Sequence, residues 1–213
     1  MSQRIRKKAV FVGDAGVGKT TLLHYIHCGS FLDVSRTVLF LTRLSLKTCQ
    51  TFLPAIYETR VSDVSVDGQE FEIAFWDSPG SPDYDRVRPL DYVSTDVFVL
   101  CFSVDQSDSL RNLREKWLPE VLYYCNDTYP TFLIVACRTD LRTDRVITEE
   151  FRKAGLKFVS FDEGEAFARG IGAFNYVECS CKRDKSTLDI FSEVARASLG
   201  SKRRIEKREC IIL

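Results

Sequence analysis

The sequence has no apolar run long enough to span a membrane, and no N-terminal signal peptide is expected. Its eight cysteines include no CxxC pair and no spacing typical of a metal site. These absences argue against a disulfide framework and favour a reducing compartment such as the cytosol, unless something tethers the chain. Internal repeats and low-complexity linkers are also missing, so the 213 residues are most simply one domain with a full core.

The formal net charge is zero, but the charges are unevenly distributed. Four basic residues lie among the first ten, and residues 200–213 hold five basic residues against two acidic ones. The rest of the chain has 21 basic and 28 acidic residues, so an acidic body carries basic ends. This distribution favours an anionic surface as a partner of the termini. No aromatic residues are interleaved with the basic ones, so nucleic acid is not an expected partner.

The order of apolar segments predicts an α/β fold. Strand-like runs recur at 9–12, 61–66, 71–76, 97–103, 131–136 and 175–178, and helical stretches are clearest at 109–126 and 186–199. Strands that alternate with helices predict a mainly parallel six-stranded sheet with helices on both faces. Several cysteines are expected within these strands, namely Cys101, Cys137 and Cys179.

A glycine-rich segment follows the first apolar run. Residues 13–20 read G-x-x-x-x-G-K-T, the P-loop pattern that binds the phosphates of a nucleoside triphosphate. Lys19 is expected to reach the β- and γ-phosphate oxygens, and the Thr20 hydroxyl is expected to ligate Mg²⁺. The predicted phosphate-binding residues are Gly13, Asp14, Ala15, Gly16, Val17, Gly18, Lys19, Thr20 and Thr21.

Three further motifs follow predicted strands, at the sheet edge where such folds bind ligands. Asp77 is expected to hold Mg²⁺ through water, and the N–H of Gly80 to meet the γ-phosphate. A carboxylate at Asp140 can accept both N–H groups of a guanine edge, an arrangement that adenine cannot supply. These motifs favour guanine over adenine and so argue against an ATP-using P-loop enzyme. The predicted base-binding residues are Arg138, Asp140, Ser180, Cys181 and Lys182.

These residues resemble the Rho family of Ras-like small GTPases over nearly the whole chain. The stretch 76–90 looks like the Rho switch II, and residues 143–154 look like the Rho insert helix. The closest resemblance is to the atypical Rnd-type members, through 80–82 (Gly-Ser-Pro) and 137–140 (Cys-Arg-Thr-Asp). The resemblance implies a Ras-like G domain over residues 1–199 that binds GTP or GDP with Mg²⁺, with Phe31 at the guanine edge.

Two positions depart from members of the family that hydrolyse GTP. Ser81 stands where the family carries the glutamine that orients the attacking water, and a serine hydroxyl is too short for that task. Ala15 stands where active Rho proteins have a glycine, and Gly16 replaces the usual alanine. We therefore expect intrinsic hydrolysis to be very slow or absent, and we expect Ser81 to be inactive at the water-positioning site. An ordinary cycling GTPase and a nucleotide-free interaction scaffold remain open as alternatives.

The switch I region departs further. The segment that resembles the effector loop has Ala55 in place of the threonine that normally ligates Mg²⁺, a threonine that Rnd-type proteins keep. We therefore expect this loop to look more alike in the GTP and GDP forms than it does in the rest of the family. The predicted effector-loop residues are Phe52, Leu53, Pro54, Ala55, Ile56, Tyr57 and Glu58.

A 17-residue insertion, 34–50, precedes this loop, and removing it restores the usual Rho spacing. Codons for its first two residues, Val-Ser, and for its last residue, Gln, can match the nucleotides found at the borders of introns. The insertion is therefore either a retained in-frame intron or a genuine loop.

Residues 200–213 resemble a polybasic prenylated tail. They end in Cys-Ile-Ile-Leu, a C-a-a-X box that predicts geranylgeranylation of Cys210. One prenyl chain anchors a protein only marginally, and the basic residues would supply the second membrane signal.

The resemblance further implies control of the actin cytoskeleton through effectors bound by switch I and switch II. It also implies exchange factors, activating proteins and dissociation inhibitors as possible regulators. The expected location is the cytoplasmic face of the plasma membrane or an endomembrane, with a cytosolic pool.

Overall fold

A computed structural model describes residues 4–28, 59–125, 128–183, 187, 189–200 and 203–204. Several predicted features lie outside these ranges: Phe31, the insertion 34–50, the effector loop 52–58 and Cys210.

A six-stranded sheet forms the centre of the molecule. Its strands are β1 (Ile5–Val12), β2 (Thr59–Val66), β3 (Gln69–Asp77), β4 (Val97–Ser103), β6 (Thr131–Cys137) and β7 (Asn175–Glu178). They lie in the order β2-β3-β1-β4-β6-β7, where only the β2–β3 pair is antiparallel and the other four pairs are parallel. This architecture confirms the predicted α/β P-loop fold.

Helices connect the strands in the described ranges. The α-helices are α1 (Lys19–Cys28), α2 (Ser107–Asn112), α3 (Leu118–Tyr124), α4 (Arg145–Ala154), α5 (Phe161–Gly170) and α6 (Asp189–Ser198). A π-helical turn, Leu113–Trp117, joins α2 to α3. Short 3₁₀ helices cover Pro82–Tyr84, Arg88–Tyr92 and Thr139–Thr143. The predicted helix 109–126 is therefore interrupted, a feature that the apolar pattern did not indicate.

Two apolar cores cover the two faces of the sheet, as the doubly covered fold requires. On one face α1 and α6 pack against the strands, through residues such as Leu22 and Val194. On the other face the α2–α3 segment and α5 do so, through Trp117 and Phe167. Every residue of β4 is buried, which is typical of a central parallel strand and explains its continuous apolar run.

Local signals fix the ends of the helices. The Asp144 side chain accepts hydrogen bonds from the N–H groups of Val146 and Ile147, so α4 begins at Arg145, two residues after the predicted start at 143. Gly155 ends this helix with a φ of 66°, a conformation that favours glycine. Ser160 and Glu163 form a reciprocal capping box that starts α5.

A second, two-stranded sheet lies at the opposite end from the P-loop. Strand β8 (Arg203–Arg204) pairs antiparallel with β5 (Thr128–Tyr129), which immediately precedes β6. The backbone of the basic tail thus returns to the body at the amino ends of the parallel strands. Among the described residues, no helix has the length and apolar character needed to cross a membrane.

Candidate functional site

The P-loop joins β1 to α1 and requires its glycines. A Cβ on Gly13 would lie 2.2 Å from the carbonyl oxygen of Cys101, so no other residue fits there. Gly16 and Gly18 have φ angles of 79° and 115°, which L side chains rarely adopt. This backbone brings the first N–H groups of α1 to the carboxyl end of the sheet, a favourable place for phosphate.

The Lys19 side chain is folded into the loop. Its Nζ donates hydrogen bonds of 2.7 and 2.8 Å to the carbonyl oxygens of Gly13 and Asp14, and the residue is 6% exposed. Burial lowers the pKa of the Lys19 ammonium, and the nearby Asp77 carboxylate opposes this shift. The ammonium is therefore placed at the centre of the predicted phosphate site.

Thr20 and Asp77 come together although they are 57 positions apart. The Thr20 hydroxyl donates a hydrogen bond to the Asp77 carboxylate at the end of β3. Asp77 is buried, and both residues offer the hard oxygen ligands that Mg²⁺ prefers. This pair of donors fits a Mg²⁺ ion beside the phosphates.

The loop after β3 lies directly against the P-loop. A Cβ on Gly80 would lie 2.4 Å from the Ala15 nitrogen and 2.5 Å from the Gly13 carbonyl oxygen, so a larger residue would clash with backbone. The backbone of Gly80 is thus next to the place predicted for the γ-phosphate.

Ser81 uses its hydroxyl within its own loop. The Oγ atom accepts a hydrogen bond from the Asp83 N–H and donates one of 3.0 Å to the Asp83 carboxylate. Ser81 is therefore the N-cap of the 3₁₀ helix Pro82–Tyr84. The hydroxyl, the only polar group of this short side chain, is therefore already hydrogen-bonded to Asp83.

Arg88 holds the Gly80 loop in place, a role that no motif in the sequence indicates. Its side chain is fully buried and donates hydrogen bonds of 2.8 and 2.9 Å to the carbonyl oxygens of Pro79 and Ser81. Both oxygens of Glu120 on α3 accept bonds from the same guanidinium, at 2.9 and 3.0 Å. The loop is thereby tied to the neighbouring helix.

Asp14 connects the P-loop to the same helical segment. One carboxylate oxygen accepts a 2.7 Å bond from the indole N–H of Trp117, and the other accepts a 2.7 Å bond from the Asn112 amide. Asn112 and Trp117 were not among the predicted site residues. They are about a hundred positions from Asp14 in the chain, and no local motif signals such a contact.

The predicted base site lies at the ends of β6 and β7. Asp140 accepts a 2.7 Å hydrogen bond from the Ser180 hydroxyl, which orients its carboxylate. Arg138 has a φ of 62° and donates to the carbonyl oxygen of Gly16, so its stem spans from the base motif to the P-loop. Burial raises the pKa of the Cys181 thiol to about 12. Lys182 is exposed beside it.

The three cysteines expected in strands lie near this site. Cys101 is within β4, and Cys137 is the last residue of β6, where its side chain lies next to Gly18. Cys179 is the exception, since it follows the last residue of β7, Glu178, rather than lying within it. All three are buried and none is in a disulfide bond.

Comparison with known proteins agrees with this geometry. The model of the Ras family matches residues 8–199. Full-length alignments relate the chain to the GTP-binding proteins rho5 and rho1 of Schizosaccharomyces pombe, each 38% identical over all of both chains. The GTP-binding protein RHO1 of Candida albicans is 40% identical over 98% of this chain and 96% of its own. With its P-loop, its guanine-type base motif and these relatives, the chain belongs to the Ras family and, within it, to the Rho-type small GTPases.

Proposed function

We propose that the protein is a Rho-type signalling protein that binds GTP and hydrolyses it very slowly or not at all. The observation that carries this proposal is the geometry of Ser81. Its hydroxyl caps the 3₁₀ helix Pro82–Tyr84 and its carbonyl oxygen accepts from Arg88, so neither group is directed at a water beyond the γ-phosphate. A residue that positions this water is a central part of GTP hydrolysis in the family.

The described residues support binding of the phosphates. Lys19 would turn from the carbonyl oxygens of the P-loop to the β- and γ-phosphate oxygens, and the glycine-shaped backbone would surround them. Thr20, directly, and Asp77, through water, would hold Mg²⁺. When bound, this ion would neutralise charge on the phosphate oxygens.

Guanine recognition follows from Asp140. Its carboxylate, oriented by Ser180, would accept the two N–H groups of the guanine edge, and the backbone around Cys181 would donate to the base. The stems of Arg138 and Lys182 would flank the ring. Phe31 is proposed at the edge of the base and lies outside the described residues.

We further propose that the closest relationship within the family is to the Rnd-type members. The residues that support it are 80–82 and 137–140, where a cysteine, Cys137, stands in the base motif. Ala15 supports the loss of hydrolysis independently, because it stands where active Rho proteins have a glycine that leaves room for the water-positioning side chain, and its backbone nitrogen lies against Gly80.

The tail and the partners complete the proposal. Prenylation of Cys210 together with the basic residues of 200–213 would place the protein on an anionic membrane facing the cytoplasm, with a cytosolic pool. Rho-family GTPases bind effectors and regulators, and we propose switch I and switch II as the surfaces for them here. Control of the actin cytoskeleton is the proposed outcome.

The nucleotide content of the purified full-length protein tests this function. Acid extraction and chromatography should recover GTP without added nucleotide. Recovery of GDP alone would contradict the proposal and indicate an ordinary cycling GTPase. An empty site would indicate an interaction scaffold, and a variant lacking 34–50 would then show whether the insertion prevents binding. Single-turnover hydrolysis, with and without a GTPase-activating protein, measures the remaining activity directly.

A further inference from the structure

A π-helical turn lies beside the P-loop. The N–H of Leu118 donates to the carbonyl oxygen of Leu113, five residues earlier, which defines the turn. In a regular α-helix, Asn112 and Trp117 would point about 140° apart, because five residues span about 500°. The wider π-turn brings both side chains to the same side of the helix, and such turns frequently occur at functional sites.

Asp14 is the shared target of these two side chains. Its two carboxylate oxygens each accept one 2.7 Å bond, from the Trp117 indole and from the Asn112 amide. The backbone carbonyl of Asp14 accepts from Lys19 at the same time. The carboxylate is thus held from the helix while the backbone of the same residue forms part of the phosphate loop.

The Trp117 ring has a second neighbour. The Arg88 guanidinium lies over the ring at 4.6 Å from its centroid. Arg88 also holds the carbonyl oxygens of Pro79 and Ser81, on either side of Gly80. One buried indole therefore contacts the P-loop directly and the Gly80 loop through Arg88.

We propose that Trp117 is a positioning residue that fixes the P-loop through Asp14, assisted by Asn112, and couples it through Arg88 to the Gly80 loop. Fixing Asp14 holds the loop in its phosphate-binding shape before the nucleotide arrives. A γ-phosphate that meets Gly80 shifts the backbone that Arg88 grips, and the change reaches the indole. The inference rests on the proposed nucleotide binding and is independent of whether GTP is hydrolysed.

The first measurement is the dissociation rate of a fluorescent GDP, labelled on the ribose, in the presence of Mg²⁺. Trp117→Phe keeps an aromatic ring against Arg88 and removes the N–H donor to Asp14, but it also puts a smaller ring in a fully buried place, so the stability of the variant is measured alongside. Loss of one hydrogen bond to a carboxylate predicts dissociation about tenfold faster. Asn112→Ala, which removes the other donor, should act in the same direction.

The matched control is Lys116→Met. The Lys116 ammonium also lies over the Trp117 ring, at 4.5 Å, but it does not contact the P-loop. It pairs with Asp85 at 3.4 Å, and the 2.6 Å bond from Arg88 to the same carboxylate stays in the variant. Its loss should change the dissociation rate less than about twofold, as expected for an exposed ion pair. A Trp117→Phe rate within about twofold of the parent would overturn the proposal.

A double-mutant cycle separates positioning from a general loss of packing. If Trp117 acts through Asp14, then Trp117→Phe should add little to the effect of Asp14→Ala, because the bond is already gone. If the effects of the two substitutions on the dissociation rate instead multiply in full, Trp117 does not act through Asp14. Thermal unfolding of each variant shows whether the fold is retained, and only folded variants enter the cycle.

The emission of Trp117 tests the coupling to the Gly80 loop. The chain has two tryptophans, so Trp76→Phe leaves Trp117 as the only reporter. In this background the emission should differ between GDP and a non-hydrolysable GTP analogue, and identical spectra would refute the coupling.

Failure of the two proposals can be told apart. Rapid single-turnover hydrolysis would contradict the proposed function and leave the dissociation rates to decide the inference. If the parent binds neither nucleotide, the proposed function fails. The Trp117–Asp14 link is then judged from the emission of Trp117 after Asp14→Ala, where an unchanged spectrum would refute it.

Discussion

The hydroxyl of Ser180 donates a 2.7 Å hydrogen bond to the carboxylate of Asp140, although the two residues are 40 positions apart. Ser180 is 2% exposed, so the bond is sheltered and fixes the direction of the remaining carboxylate oxygens. The acceptors that the sequence assigned to guanine are thereby preorganised at the ends of β6 and β7.

Replacing this carboxylate should change base selectivity. Asp140→Asn exchanges one acceptor for an N–H donor, so it loses one hydrogen bond to guanine and the charge assistance of the other. Its new N–H donor can bond the carbonyl that xanthine has at that place. Affinity for GTP should fall by about 10²–10⁴-fold, and that for the xanthine nucleotide should rise. Competition binding with both nucleotides measures the ratio, and an unchanged GTP affinity would place guanine elsewhere.

The rate of GTP hydrolysis should change when residues at the contact between the Gly80 loop and the P-loop are replaced. The double variant Ser81→Gln with Ala15→Gly restores a side chain able to orient water and the glycine that active Rho proteins have at the P-loop position. We expect single-turnover hydrolysis to rise by about 10- to 100-fold, toward the lower end of what one positioned group contributes. Ser81→Ala is the matched control, because it removes the hydroxyl without adding a longer side chain, and its rate should stay at that of the parent.

The buried ion pair between Arg88 and Glu120 should contribute strongly to stability. Glu120 accepts two bonds from Arg88 and a 2.6 Å bond from the Tyr92 hydroxyl. Glu120→Ala leaves the fully buried guanidinium with the half-exposed Asp85 as its remaining carboxylate partner, at 2.6 Å, and should lower the free energy of unfolding by about 3 kcal/mol, the lower end for a broken buried pair. Chemical denaturation provides the measurement.

Glu115 supplies the control for that experiment. It lies one turn earlier on the same helical segment, and its pair with Arg111 is exposed at both ends. Glu115→Ala should cost less than about 1 kcal/mol. Similar losses for the two variants would mean that burial of the Arg88 pair is not what stabilises the segment.

The capping box of α5 predicts a dependence of stability on pH. Hydrogen bonds from the backbone N–H and the side chain of Ser160 hold the pKa of Glu163 below its usual 4.5. The unfolded chain therefore binds a proton first as the pH falls, so the contribution of Glu163 is present above about pH 4.5 and is lost as the pH drops through the folded pKa.

Comparing Glu163→Gln with the parent tests this dependence. The parent should be the more stable protein at pH 6, and the difference should shrink toward pH 3. Glu165→Gln, on the same helix with only a surface pair to Arg169, is the reference substitution. A difference for Glu163→Gln that is constant across this range would contradict the assignment.

The fold, and the backbone shape of the P-loop on which the proposed phosphate site depends, could be predicted from the sequence because their signals are local. The apolar run of β4, buried at every position, and the glycine spacing from Gly13 to Gly18 each act within a few residues. The role of Arg88 was not readable, since its contacts span 7, 9 and 32 positions and resemble an ordinary charged face in sequence.

The π-turn escaped prediction for a related reason. Leu113–Trp117 has the composition of a normal amphipathic helix, and only the partner on another element, Asp14, shows why the wider turn is needed. Periodicity detects which face is apolar, but it does not detect one additional residue in a turn.

The pairing of β8 with β5 has a consequence for geometry at a lipid surface. The tail backbone rejoins the body where β6 starts, whereas the nucleotide is expected where β6 ends, seven residues or about 20 Å away. If Cys210 carries a lipid, the pairing of β8 with β5 would fix the place at which the lipid-bearing tail leaves the body of the protein. The mouth of the nucleotide site would then open away from the bilayer, within reach of soluble proteins.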